Sequence, residues 1–308
     1  MNPNLCEMLS CKDHPCHTNA EPASAGNFPL VLFSHGLGGC MEMYSELCIN
    51  LAAQGCVVLA LEHEDGSGCY AETQEGTVVS YKRPDNTPYS REKVLKFRTP
   101  MLEQRMDEVE RVMNYIQEAT SPNNNKETQS AELLHKILQS TNSKQICLVG
   151  HSFGAATMVL VAQQQVPNLN SVSLLDTWAF PLSDAVLNQG IPNLPVLSIF
   201  SESWTKNRET SKVIQLLEST KDSNILWAPN TVHQSFADTG CWLPSPLAKR
   251  MHMRGKQEPK HEFSASVAHA CVNHIRSALS SGNSSVDAAT SDATTEFPKF
   301  IKELHYAH

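Results

Sequence analysis

Six short apolar runs recur along the 308-residue chain, each leading into a turn or a polar residue: Phe28–Phe33, Cys56–Leu61, Ile146–Val149, Val172–Leu175, Val196–Phe200 and Ile225–Ala228. Runs of this length without polar alternation suit strands buried on both faces. Between the first two lies Met41 to Gln54, which places Tyr44, Leu47, Cys48 and Leu51 on one helical face, with Gly55 as its stop. Strand, helix, strand at this spacing predicts a parallel sheet, because parallel neighbours need a crossover between them. Leu102, Met106, Val109, Met113 and Ile116 mark a second helical face. Ala155 to Gln165 reads as a third helix, and Phe263, Val267, Cys271, His274 and Ala278 place a last one near the C-terminus. The expected fold class is α/β, with a mostly parallel central sheet flanked by helices, in one domain over residues 28–280. Residues 1–27 read as a disordered or loop-like segment and 281–308 as a low-complexity tail. Asp65 to Ser90 and Thr120 to Ser130 read as polar insertions.

Composition removes several classes. Lys plus Arg is 24 against 32 Asp plus Glu, a formal net charge of -8, so the chain lacks the basic footprint of a nucleic-acid binder. No apolar run approaches the length of a membrane-spanning helix. Of the ten cysteines, Cys48, Cys56, Cys69, Cys147, Cys241 and Cys271 lie in or beside apolar or periodic segments and read as small buried hydrophobes. Cys6, Cys11 and Cys16, with His14 and His17, lack paired zinc-ligand spacing and read as an incidental tail. No secretory leader or myristoylation signal is visible, so the thiols are expected to stay reduced and the location to be cytoplasmic.

The chemistry concentrates in Gly150-His151-Ser152-Phe153-Gly154, set between a buried strand and a helix. That context turns a common pattern into a nucleophile elbow. The turn is so tight that side chains at Gly150 and Gly154 would collide with neighbours, while Ser152 presents its hydroxyl. A serine hydroxyl is a poor nucleophile until a base takes its proton. On an α/β-hydrolase sheet the order is serine, acid, histidine. Asp176 ends the next strand and is the first choice for the acid, with Asp184 as its rival. His233 follows the last strand and is the first choice for the base, ahead of His35, His151, His252, His261, His269 and His274. The Gly-rich turn Ser34-His35-Gly36-Leu37-Gly38 is placed to supply one backbone N–H to an oxyanion hole, with Phe153 supplying the other. Gly36 and Gly38 would let that backbone approach the substrate oxygen. Glu62, His63, Glu64 and Asp65 read as loop anchors rather than metal ligands. Trp242, Leu243 and Leu247, followed by Lys249, Arg250 and Arg254, read either as a lipid-surface contact or as a partly buried loop.

These residues resemble the platelet-activating factor acetylhydrolase family, in its plasma and intracellular type II group, which includes the lipoprotein-associated phospholipase A2 type. The resemblance is carried by Phe33-Ser34-His35-Gly36-Leu37-Gly38, Glu62-His63, Gly150-His151-Ser152-Phe153-Gly154-Ala155-Ala156-Thr157, Leu175-Asp176-Thr177-Trp178-Ala179-Phe180-Pro181-Leu182 and Val232-His233-Gln234-Ser235-Phe236-Ala237-Asp238. It implies an α/β-hydrolase fold and a calcium-independent serine esterase without a cofactor. The implied substrate is a phospholipid with an acetyl, short or oxidised sn-2 chain, met at a membrane or lipoprotein surface. Carried over residue by residue, Ser152 is the nucleophile, Asp176 the orienting acid, His233 the base, and Leu37 and Phe153 the oxyanion N–H donors.

The chain departs from the family pattern in places. Ala155 stands where the family commonly has Gly, and Glu64 where it commonly has Arg. Only 34 residues precede His35, so the family's first sheet strands are expected to be missing. Two other readings compete: a general carboxylesterase or polyester-type hydrolase, and a catalytically silent binding protein on the same fold.

Overall fold

The computed structural model describes residues 16–17, 19–22, 26–84, 90–120, 129–255, 262–282 and 302–303. The first apolar run forms β1 (Phe28–Ser34), with Leu30 and Leu32 buried on one face and Val31 and Phe33 on the other. The helix expected from Met41 instead opens as a 3₁₀ turn, Met41–Tyr44, and continues as α1 (Ser45–Ala53). Gly55 follows at φ +95°, a conformation that ends the helix at little cost for glycine. β2 (Val57–Leu61) completes the crossover. The polar insertion contains a small hairpin, β3 (Tyr70–Glu72) and β4 (Val78–Ser80), which forms a separate two-stranded sheet.

The second helical face belongs to α2 (Arg91–Ala119), which begins well before Leu102 because Ser90 caps it by accepting the Lys93 N–H. α3 (Gln129–Gln139) has no counterpart in the sequence reading apart from its first two residues, which fall in the expected loop. Then come β5 (Thr141–His151), α4 (Phe153–Gln163), β6 (Leu169–Leu175), α5 (Asp184–Gln189) and β7 (Val196–Ser201). After these follow α6 (Glu202–Thr205), α7 (Thr210–Glu218), β8 (Ser223–Ala228), a 3₁₀ turn at His233–Phe236, α8 (Thr239–Trp242) and α9 (Ser245–Arg250). α10 (Glu262–Gly282) runs two residues past the expected domain end. β9 (Lys302–Glu303) lies inside the segment read as a tail.

The main sheet has the order β2-β1-β5-β6-β7-β8-β9. Neighbours from β2 to β8 are parallel, and β9 alone runs antiparallel, beside β8. Helices cover both faces, which is the α/β-hydrolase arrangement. α1 and α10 bury Leu47, Leu51, Phe263, Val267 and Ile275 against one face. α2, α4, α5 and α7 bury Leu102, Val109, Met158, Leu187 and Leu216 against the other. Each large apolar side chain so buried contributes about 1.5–3 kcal/mol relative to exposure. The two-face burial explains why the strands read as continuous apolar runs.

Register then places the site. Ser34 pairs with Gly150, Gly150 with Leu174, and Leu175 with Ile199. The carboxyl ends of β1, β5, β6 and β7 therefore lie level, and the turns that leave them open on one rim. No strand among the described residues precedes β1, and none pairs with the outer edge of β2. Cys56, Cys147 and Cys271 are buried, Cys48 and Cys241 partly so, as read from the sequence. Cys69 differs: it is exposed where the chain enters the β3 hairpin. Cys6, Cys11 and His14 lie outside the described residues.

Candidate active site

β5 delivers Ser152 at a sharp turn into α4. Its backbone sits at φ 56°, ψ −112°, a conformation that L-residues avoid. Neighbours hold it there: the Ser152 N–H donates to the Leu175 carbonyl at 2.9 Å, and its own carbonyl accepts from Trp178 and Ala156 at 3.1 and 3.2 Å. The two elbow glycines are required by contact. A Cβ on Gly154 would lie 2.0 Å from the Ser34 carbonyl oxygen, and one on Gly150 would lie 2.5 Å from the Gly154 oxygen.

Asp176 leaves the end of β6 fully buried. Its Oδ1 accepts the Ser201 N–H at 2.6 Å, and its Oδ2 accepts the Ser201 hydroxyl at 2.6 Å and His233 Nδ1 at 3.1 Å. Burial pushes this carboxyl above its usual range, while the bonds from His233 and Ser201 pull it back. His233 Nε2 stands 3.0 Å from Ser152 Oγ. An ionised carboxylate only accepts, so the Nδ1 bond places the imidazole proton on Nδ1 and leaves Nε2 as a lone pair facing the serine hydroxyl. The arrangement can take a proton from Ser152 and stabilise the imidazolium that results.

The histidine ring is held between two others. Trp204 stacks on it at 4.1 Å between centroids and 14° between planes. His151 packs on it at 4.6 Å. The backbone N–H of His233 donates to Ser203 Oγ at 3.0 Å. Burial, with His233 second, holds His151 well below its usual titration range, so that ring is neutral.

The turn after β1 lies against the elbow: a Cβ on Gly36 would stand 3.2 Å from the Ser152 Cβ and 3.0 Å from the Tyr44 hydroxyl. Its backbone groups are largely taken. The Gly36 N–H donates to Tyr44 Oη at 3.1 Å, and that hydroxyl lies 2.8 Å from His151 Nδ1. The Gly38 N–H donates to the Ser67 carbonyl at 2.7 Å, and the Gly39 N–H to the Gly36 carbonyl at 3.1 Å. Among the described residues the N–H groups of Leu37 and Phe153 have no acceptor. Phe153 directly follows Ser152 and Leu37 directly follows Gly36, which lies against Ser152, so both N–H groups are candidates to serve an anionic oxygen there. A Cβ added to Gly38 would meet no atom within 4 Å, so packing does not demand a glycine there. It is needed for its φ of +71° instead.

The remaining candidates go elsewhere. Asp184, the rival acid, is exposed at the start of α5 and pairs with Arg91 at 2.7 Å. Glu62 faces His35 Nε2 at 3.0 Å, His63 bonds Glu108 at 2.6 Å and Asp65 pairs with Arg105 at 3.0 Å, while the Glu64 N–H donates to Glu108. His63 and the Glu64 N–H thus share Glu108, whereas Glu62 and Asp65 meet other residues, and the four do not form one cluster of donor atoms. Among the described residues, two groups of donor atoms do lie within 4.8 Å of one another, His151–Asp176–His233 and Cys40–Glu42–Glu62. The first is already hydrogen-bonded internally, and Glu62 in the second is engaged by His35 and the Met41 N–H. His261 lies outside the described residues, and His252, His269 and His274 lie away from Ser152, on the surface or against the Pro195 carbonyl. Trp242 and Leu243 are half-buried, whereas Leu247 is 44% exposed and Met251, one turn on, 51%. Sequence patterning does not mark Ser201, Ser203, Trp204 and Arg105 as site residues, and Tyr44 reads there only as part of a helical face. Only the SxxW N-cap pattern after the fifth apolar run hints at the first three.

Comparison with known proteins adds an independent line. The sequence profile described as "Platelet-activating factor acetylhydrolase, isoform II" matches residues 4–296. The chain is 29% identical over 232 residues to the platelet-activating factor acetylhydrolase of Canis lupus familiaris, covering 73% of this chain and 51% of that protein. With that of Gallus gallus it shares 25% identity, covering 86% of this chain and 65% of that protein. A putative phospholipase A2 of Schizosaccharomyces pombe is 24% identical, covering 77% and 65%. The chain thus spans about half to two-thirds the length of these relatives. Among solved structures, a ferulic acid esterase from Streptomyces cinnamoneus superposes with a TM-score of 0.59 at 17% identity, over 93% of this chain and 76% of that one, a likeness of fold.

Proposed function

The chain belongs to the platelet-activating factor acetylhydrolase isoform II family, and from that premise we propose that it is a serine esterase removing acetyl, short or oxidised sn-2 acyl chains from phospholipids. The observation that carries this reading is the unbroken line from Asp176 Oδ2 through His233 to Ser152 Oγ, at 3.1 and 3.0 Å.

His233 Nε2 takes the Ser152 proton as Oγ attacks the sn-2 carbonyl carbon, and the carbonyl oxygen becomes an oxyanion. The N–H groups of Leu37 and Phe153 receive that charge. Asp176 keeps the ring in the correct tautomer and stabilises the imidazolium without taking its proton. The imidazolium then protonates the departing glycerol oxygen, and the lysophospholipid leaves. Water, deprotonated by His233, attacks the acyl-serine, and collapse of the second tetrahedral intermediate frees the carboxylate and restores Ser152.

The test is hydrolysis of a phosphatidylcholine series differing only in sn-2 chain length, with chelator present, for wild type and Ser152→Ala. Acetyl and short oxidised chains should be cleaved and long chains not, with Ser152→Ala slower by at least about a thousandfold. Turnover independent of chain length would favour a general carboxylesterase. Wild-type rates in Ser152→Ala would remove the serine mechanism.

A further inference from the structure

Beneath the Gly-rich turn lies a polar cluster that the mechanism above does not use. Arg105 on α2 is fully buried. Its Nε donates to Asp65 Oδ2 at 3.0 Å, and its Nη2 to Ser67 Oγ at 2.6 Å. Asp65 is buried too, and its Oδ1 accepts the N–H and hydroxyl of Ser67 at 2.9 and 2.7 Å. Taking such a pair out of water costs several kcal/mol per ion. A well-packed apolar replacement is often neutral or stabilising, so stability alone does not account for the pair.

Its contacts point to another role. Arg105 Nη1 donates to the His35 carbonyl at 2.8 Å, one peptide before Gly36. The guanidinium carbon also lies 4.8 Å over the ring of Phe153. Through Ser67 the same cluster accepts the Gly38 N–H at 2.7 Å. One planar side chain therefore touches the turn that carries the Leu37 N–H and the residue that carries the other N–H. Leu37 itself sits between two pinned neighbours, His35 and Gly38.

We propose that Arg105, clamped by Asp65 and Ser67, is the positioning residue of the oxyanion hole, fixing the Leu37 and Phe153 N–H groups relative to each other. This rests on the serine-esterase reading. A hole of backbone donors works only when they are held in place before charge develops, and sub-ångström drift is enough to weaken it. The guanidinium suits the task because its rigid fork grips a carbonyl, a hydroxyl and a carboxylate at once, which a lysine ammonium cannot do in one plane.

The experiment compares wild type, Arg105→Lys, the double variant Arg105→Met/Asp65→Leu, and Ser152→Ala on a soluble short-chain ester. The double variant removes both charges and leaves neither buried alone. Three quantities are read: kcat and KM, the affinity of a boronic acid that becomes tetrahedral on Ser152, and the affinity of a non-hydrolysable sn-2 ether analogue. The expectation for the folded double variant is a kcat lower by about a hundredfold with KM within about threefold. Boronate affinity should fall in step with kcat/KM, and ether affinity should hold. Arg105→Lys should show the same pattern with a smaller loss, and it decides the matter if the double variant does not fold. Wild-type kcat, or equal losses for boronate and ether, would overturn the positioning role. Ser152→Ala separates the two ideas. If it is active, the serine reading fails. If it is inactive while the Arg105 variants are fully active, only the positioning role fails.

Discussion

Ser152 at φ 56° and Asp176 at φ 43° both occupy backbone conformations that cost a non-glycine residue about 1–3 kcal/mol each. Neighbouring hydrogen bonds hold them there: the Asp176 N–H donates to the Ile199 carbonyl at 3.0 Å, and Ser201 holds its carboxylate. Removing the Ser201 hydroxyl leaves Asp176 Oδ2 with His233 alone and takes away the N-cap acceptor of Trp204. Ser201→Ala should therefore lower stability by about 1–3 kcal/mol. It should also lower kcat by about tenfold with KM little changed, because the histidine loses its fixed partner. Thermal unfolding and steady-state kinetics on one preparation check both, and an unchanged kcat would show that the backbone N–H of Ser201 suffices. At this scale the sequence was legible where the chemistry is written locally. Ser152 sits in a five-residue motif, and Asp176 and His233 sit at ends of apolar runs. Tyr44 and Arg105 act across 107 and 70 positions of chain, and nothing in their own neighbourhoods marks that role; Ser201 acts across 25, and only its N-cap pattern hints at it.

The parallel strands of the main sheet were read well because burial on both faces leaves an uninterrupted apolar signature. Helices were read less well where the signature is shared with other structure. The first residues of α2 are mostly charged or polar, and its start is set by the Ser90 cap rather than by apolar spacing. α3 follows a polar stretch that pulled the expected loop into its first turn, and the β3–β4 hairpin has only three residues per strand. The short helix α9 is where an element carries an open functional question. Leu247 is exposed with Met251 a turn beyond, and Lys249 and Arg250 lie between them, a pattern suited to an anionic lipid surface. Leu247→Glu should lower the rate on phospholipid vesicles several-fold while leaving the rate on a monomeric short-chain ester unchanged. Equal rates on vesicles for both proteins would assign this face to plain solvent exposure.

For the molecule as a whole, four buried titratable groups give stability a pH dependence of both signs. Burial raises the carboxyls of Glu108 and Asp238 to about 7. Between about pH 4 and 7 the unfolded chain has released these protons while the folded chain keeps them, so stability falls as pH rises through that window and levels off above it. Burial moves His63 and His151 the other way, well below their usual value. Below about pH 6.5 the unfolded chain binds protons that the folded one refuses, so stability also falls as pH drops. Asp238→Asn mimics the protonated acid that accepts the Glu46 N–H. Relative to wild type, its Tm should rise as pH goes from 5 to 8, and a constant difference across that range would show that Asp238 does not titrate there. The depth of the core that produces these shifts was legible from composition and run length, whereas the identity of the buried acids was not, since nothing in the spacing around Glu108 or Asp238 marks the acid as buried.

Ser152, Asp176, His233 and the Gly-rich turn all gather where the parallel strands end. The opposite rim, where those strands begin, carries short connections such as Gln164–Asn168 and Lys221–Asp222, whose exposed side chains include Gln164, Pro167 and Lys221. For anyone fixing this protein to a bead, an electrode or a dye, that rim is the natural point of attachment. A tether at Lys221 would hold the molecule by its base and leave the mouth facing the bulk.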